Sequence, residues 1–323
     1  MKKATHHFCY LIRKGDFGEV YWGESLLGEK NVAIMKPADK MDEDQIIQFV
    51  NEVDILSQGN HEHVVKLLGC CLDNEDPMLV YEFFSASSLS LHIHGEKEEK
   101  KHLSWIDRLR IAEETAEALD HLHSSHPVSI FHRNVTSSTI LLDDKMKSKV
   151  SDFGVSGFGP VPLAETENNN TSIIQGNRGQ PESGPEYSHA HTETHESDVY
   201  SFGVVLAELL TGKKRILSEE PGKKETLAKY FVREVTDVNL CLDEQIKNDA
   251  EKDHFLKVVK LTKKCLQDKG EARPTMKEVA SMLGSLLSSL QPKQEQQTEH
   301  RDVGGPSTSS ILDATADEIE AVH

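Results

Sequence analysis

The spacing of apolar residues changes once along this chain, and that change limits the folds open to it. Up to about residue 84 the apolar positions follow the two-residue period of strands: residues 10 to 36 around "GDFGEV", the run "NVAIM", then "VVKLLGCCL" and "PMLVYEFF". One helix interrupts them, since Ile46, Phe49, Val50, Val53 and Leu56 recur between Asp42 and Ser57 at a spacing that predicts one buried face. From Ser104 onward the period is helical. "SWIDRLRIAEETAEALDHLH" opens on Ser104 and Asp107 in a capping arrangement and carries Trp105, Leu109, Ala112, Ala116 and Leu119 on one stripe. Further helices are predicted at "SDVYSFGVVLAELLTG", closed by Gly212, at "DHFLKVVKLTKKCL", and at "PTMKEVASMLGSLLSSL", entered through Pro274. The expectation is an α+β chain: a lead-in over 1–9, a small strand-rich lobe over about 10–84 and a larger helical lobe over about 85–290. The last 33 residues, Gln291 to His323, hold 7 acids against 2 bases and too little apolar surface to fold alone, which predicts a disordered acidic tail.

Charge and composition narrow the partners. A net charge of -18 repels phosphate backbones and anionic lipid, so nucleic acid is excluded as a general ligand and the partner is expected to be a protein or a small molecule. No apolar stretch approaches the ~20 residues that cross a bilayer, and "MKKATHHFCY" lacks the apolar middle of a signal peptide, so the expected location is cytoplasmic with no intrinsic membrane segment. The five cysteines are odd in number and follow no metal-ligand spacing, the pattern of reduced intracellular thiols. Seventeen histidines include the pairs "HEH", "HIH", "HLH" and "HAH"; with no third ligand at motif spacing they are read as solvated rather than metal-binding.

In order along the chain stand "KGDFGEV", "VAIMK", a helix containing Glu52, "FHRNVTSST", "SDFG", "GPEY", "SDVYSFGVVLAELLTG" and "ARPTMKEV". Their sequence and spacing resemble a protein kinase domain, and "DEDQIIQFVNEVDILSQGNHEHVVKLLGCCL" with "KGEARPTMKEVA" narrows the resemblance to plant receptor-like kinases of the wall-associated kinase-like group. The resemblance covers Ala4 to about Leu290 and implies a two-lobed kinase fold. It also implies an ATP cleft built from Ile12, Gly15, Gly18, Val20, Ala33 and Leu141, with Tyr81 as gatekeeper and the backbone of Glu82 and Phe84 as hinge.

Where the family places its chemistry, this chain departs. Arg13 replaces the first glycine of the phosphate loop, where a side chain pointing to solvent is the plain expectation. Met35 falls at the lysine that holds the phosphates. Lys36 is next to it, but strand alternation points it away from the cleft, so Glu52 is expected to turn to solvent or to find Lys36. Asn134 replaces the catalytic aspartate, and an amide cannot take a proton at neutral pH. Thr136 replaces a lysine and Thr139 a magnesium-binding asparagine; a threonine oxygen would coordinate only weakly. Asp152 of "DFG" is retained as a single candidate Mg²⁺ ligand, so ATP and Mg²⁺ are expected to bind weakly or not at all.

The segment Gly176 to Tyr187 lacks the usual substrate lip, while Thr166, Thr171 and Ser172 would accept phosphate from another kinase, with Arg133 as a partner for it. Asp198 and the pair Glu186 and Arg273 match residues that hold the fold together. The resemblance therefore implies a pseudokinase serving as scaffold, adaptor or decoy in plant receptor or immune signalling. Its expected partners are active receptor-like kinases or immune receptors, which would bring it to the plasma membrane. The alternatives are a weak kinase recruiting Lys36, and the cytoplasmic part of a longer wall-associated receptor.

Overall fold

The computed structural model describes residues 1–15, 18–24, 31–37, 41–72, 77–84, 87–96, 102–124, 128–158, 194–218, 225–235, 242–247 and 252–290. Five antiparallel strands form the first sheet: β1 (Leu11–Gly15), β2 (Gly18–Glu24), β3 (Asn31–Lys36), β4 (Leu67–Cys71) and β5 (Met78–Glu82), in the order β1-β2-β3-β5-β4. The apolar run "VAIM" puts β3 at the centre, where Met35 lies opposite Val20 on one side and Leu79 on the other. Gly18 opens β2 at φ +149°, and a Cβ there would meet the Lys36 carbonyl oxygen at 2.3 Å, so only glycine allows this close approach. The lead-in is packed rather than loose: Ala4 and Thr5 are buried, and the Ala4 carbonyl accepts from Glu24 N–H at 2.8 Å.

Helix α1 (Glu43–Ser57) starts on a capping box between Asp42 and Gln45. Its buried face differs from the predicted stripe. Phe49, Glu52, Ile55 and Leu56 are buried, whereas Ile46 and Val50 are 49% and 56% exposed. Phe49 and Val53 pack on Met35 and Leu79, and this orientation turns the Ile46 and Val50 edge outward while carrying a carboxylate inward.

The helical part is built around α3 (Trp105–Ser124), whose predicted stripe is buried throughout, and it follows the short α2 (Leu89–His94). Helix α4 (His195–Thr211) is buried along most of its length, as its nearly unbroken apolar sequence requires, and ends on Gly212 at φ +65°. Helices α5 (Leu227–Glu234), α6 (Lys252–Cys265) and α7 (Met276–Leu290) complete the core. Among the described residues no helix is long and apolar enough to cross a membrane.

The histidine expectation fails in its particulars. His63, His92 and His132 are buried, His94 meets Glu208 at 2.9 Å and His123 meets Asp198 at 2.9 Å. They are structural hydrogen-bonding groups rather than solvated ones, and no cluster of three metal-ligating side chains occurs among the described residues. The "HAH" pair, Cys241 and the acidic tail lie outside the described residues.

Candidate functional site

Three short pairings position the site. Strand β7 (Ile130–Phe131) pairs with β10 (Gly157–Phe158), and β8 (Ile140–Leu142) is flanked by β6 (Ser87–Ser88) and β9 (Ser148–Val150). The loop 132–139 therefore leaves β7 and enters β8, while Ser151 to Ser156 connects β9 to β10 beside it. Asp198 fixes the start of that loop. Its carboxylate accepts from His132 N–H and Arg133 N–H, both at 2.8 Å, and from His123 at 2.9 Å, and these bonds hold Arg133 at φ +65°. Burial alone would raise its pKa, but His123 and the amide donors outweigh that and hold the carboxyl below its ordinary range.

Between the first sheet and β8 lies a cleft of about 590 Å³, counted out to its open mouth. Ile12, Val20, Ala33, Met35, Val65, Tyr81, Glu82, Phe84 and Leu141 line it, and Arg13, Glu52 and Asp152 also contribute to its wall. Gly15 and Gly18, expected to line it, frame the β1-β2 turn instead. Strand alternation places Met35 against the cleft. Lys36 stands on the other face with its Nζ over the Phe8 ring, 5.2 Å from the centroid.

Glu52 neither turns to solvent nor finds Lys36. It is 4% exposed, and the Tyr81 hydroxyl donates to its Oε1 at 2.7 Å. Burial, then the charge of Asp152, raises Glu52 to about 7, against the bonds from Tyr81 and the Phe153 amide. Burial and Glu52 in turn push Tyr81 well above its ordinary value. The residue expected to guard the pocket thus supplies the bond that a lysine at 35 would have made.

Arg13 also departs from expectation. Its side chain is 26% exposed, enters the cleft and places Nη2 3.6 Å from Asp152 Oδ1. A guanidinium beside Asp152 opposes a divalent cation there. The remaining candidate ligand is turned inward: Thr139 Oγ1 donates toward the Asn134 and Thr136 carbonyls at 2.9 and 3.1 Å and accepts from Thr136 N–H at 3.1 Å. Thr136 is buried, with its hydroxyl accepting from the Ser138 and Thr139 amides. Asn134 lies in the same loop, its backbone N–H donating to His132 Nδ1 at 3.2 Å. Taken together, the donors around Asp152 do not fit a magnesium ion, whereas the apolar walls fit a flat ring.

Asn51 is a positioning residue that sequence reasoning missed. Its amide nitrogen lies 3.1, 3.0 and 2.7 Å from the carbonyls of Phe153, Gly154 and Ser156, so α1 is tied to the "DFG" segment through the neighbour of Glu52. A polar side chain beside the buried face of α1 was its only signal.

Arg273 is buried, donates to the carbonyls of Glu196 and Gln267 at 2.8 Å and stacks over Tyr200. Its expected partner Glu186, the candidate phosphate acceptors Thr166, Thr171 and Ser172, and the segment Gly176 to Tyr187 lie outside the described residues.

Comparison with known proteins agrees with this architecture. The family "Protein tyrosine and serine/threonine kinase" matches residues 7–283. "Wall-associated receptor kinase-like 18" of Arabidopsis thaliana is 42% identical over 91% of this chain and 37% of its own length. "Wall-associated receptor kinase-like 1" and "Wall-associated receptor kinase 5" of the same plant are 39% and 40% identical over 94% and 88% of this chain, and 41% and 38% of theirs. The chain therefore spans well under half the length of these relatives. With the sheet, the Asp198-anchored loop and the cleft all in the matched span, the chain belongs to the protein tyrosine and serine/threonine kinase family.

Proposed function

We propose that this chain uses the kinase fold without effective phosphotransfer, as a scaffold, adaptor or decoy in plant receptor signalling. One observation carries the reading: the acids facing the phosphate end of the cleft are engaged by the protein itself, Glu52 by Tyr81 and Asp152 by Arg13. Each thus has a protein partner where the resemblance would put a lysine or a metal. Loss of general-base help at Asn134 alone removes ~10² to 10⁴ in rate, and Met35 leaves the phosphates without their usual cation. The weak-kinase alternative needs Lys36 in the cleft, and its contact with Phe8 on the far face weighs against that. The partners would be active receptor-like kinases or immune receptors, meeting the chain in the cytoplasm or at the plasma membrane.

The test pairs two assays on the full chain. Radiolabelled ATP with Mg²⁺ should give no self-phosphorylation above a blank, and Asp152→Ala should retain its partners in a pull-down from plant extract. Loss of biological activity in Asp152→Ala, with folding and partner binding intact, would return the chain to the enzymes.

A further inference from the structure

A second recess, of about 1000 Å³ counted out to its open mouth, lies where α2, the loop 132–139 and the segment after α4 meet. Its lining is polar. Ser90 and Ser138 present hydroxyls, His94 and Glu208 line it with side chains only 9% and 2% exposed, and Lys214 and Arg215 reach it from the segment that follows Gly212. It shares no lining residue with the cleft, and its chemistry is the same whether or not the chain transfers phosphate.

The buried pair in this recess is only half satisfied. Glu208 Oε1 accepts from His94 Nε2 at 2.9 Å and from the Ser137 hydroxyl at 3.1 Å. Glu208 Oε2 and His94 Nδ1 are also buried, and neither has a hydrogen-bond partner among the described residues. A carboxylate only accepts, so Nε2 carries the ring proton and the Nδ1 of the neutral imidazole is an acceptor too. Two buried acceptors therefore call for donors, because an unmet buried polar atom is costly.

A guanidinium suits them better than an ammonium or a hydroxyl. It carries five N–H groups in a planar fork, enough to meet the carboxylate oxygen and the ring nitrogen together. Lys214 and Arg215 repel a bare cation, however, and favour a ligand with an anionic group beyond its guanidinium.

We propose that this recess binds a small guanidino acid, a zwitterion of the arginine class, with its guanidinium on Glu208 and His94 and its carboxylate toward Lys214 and Arg215.

Calorimetric titration of the full chain with free arginine, citrulline, argininamide and a blocked tripeptide carrying arginine at its centre tests it. Citrulline keeps the shape of arginine without the guanidinium charge, and argininamide keeps the guanidinium without the carboxylate. Each should bind about tenfold more weakly than arginine, the scale of one charge-assisted contact, and the blocked tripeptide should behave like argininamide. Glu208→Gln should abolish arginine binding, with circular dichroism to check that this buried change leaves the chain folded. Lys214→Ala lies on the exposed rim and guards against a failure of that variant. It should weaken arginine about threefold, since Arg215 remains, and leave argininamide unchanged.

The absence of saturable arginine binding, or citrulline binding as tightly as arginine, overturns the proposal. So does unchanged arginine affinity in folded Glu208→Gln or in Lys214→Ala. A blocked tripeptide that binds as tightly as free arginine would give the recess to a segment of another protein and overturn the assignment to a small molecule.

Discussion

Asp198 and the carboxyls at the back of the cleft draw on different partners. Asp198 accepts from two backbone amides and a histidine, so its charge positions the chain. Glu52 is met by the Tyr81 hydroxyl as well as the Phe153 amide, and Asp152 lies beside the Arg13 guanidinium, so side chains of the cleft engage both carboxyls. A carboxylate that holds backbone is needed for the fold whatever the protein does. A carboxylate placed to meet a lysine or a metal serves chemistry instead, and in this cleft Met35 stands at the lysine position while Arg13 lies beside Asp152.

The sharpest way to break that comparison is to remove the structural carboxylate. Asp198→Ala should cost about 3–5 kcal/mol by stranding buried donors, since loss of one member of a buried charged pair has that size. Urea unfolding would record it, and a loss below about 1 kcal/mol would mean the loop is held by something else. Asp152→Asn, by contrast, should cost much less, because the 3.6 Å pair with Arg13 that it weakens is partly exposed and asparagine tolerates the φ of +68° at this position.

Glu52 sharpens the contrast through pH. Its folded value of about 7 lies above the ordinary 4.5, so between them the folded chain keeps a proton that the unfolded chain releases. Stability should therefore fall as pH rises through that window, by up to about 3 kcal/mol from this group. Glu52→Gln should flatten the slope of melting temperature between pH 5 and 8. An unaltered slope would show that Glu52 is ionised in the folded chain and finds a cation.

The bond that holds Glu52 should have a smaller effect. Tyr81→Phe leaves that buried carboxyl without its side-chain donor and should cost about 1–2 kcal/mol, read as a drop in the urea midpoint at pH 6. Smallest of all, Lys36→Ala should change stability by less than about 1 kcal/mol, the scale of a surface cation-aromatic contact, and should leave adenosine and ATP titrations where they were. A large loss of ligand binding would place Lys36 in the cleft and favour the weak kinase.

The period change along the chain was enough to predict the sheet, the long helices and the outward face of Lys36, because strand and helix periodicities are local rules. Side-chain pairings across the cleft were not legible in the same way. Glu52 was expected to face solvent or lysine, but its partner Tyr81 is 29 residues away in the chain and meets it only after β5 is laid beside β3. Arg13 read as a solvent-facing turn residue for a related reason: nothing local records that Asp152, on another strand connection, stands within its reach. Ile46 and Val50 mislead in the reverse direction, since apolar spacing on α1 does not reveal which of two adjacent stripes the sheet accepts. The buried histidines were mistaken because hydropathy alone ignores partners such as Glu208 and Asp198.

The central claim is that the retained fold and the altered cleft have parted, and the most direct measurement is phosphotransfer by the full chain. With radiolabelled ATP and Mg²⁺, the wild-type chain and Asn134→Asp should both give counts at the level of a blank, since restoring the base leaves Met35 and the Arg13–Asp152 pair in place. Turnover within tenfold of the ~10 s⁻¹ typical of enzymes, in either protein, would contradict the account.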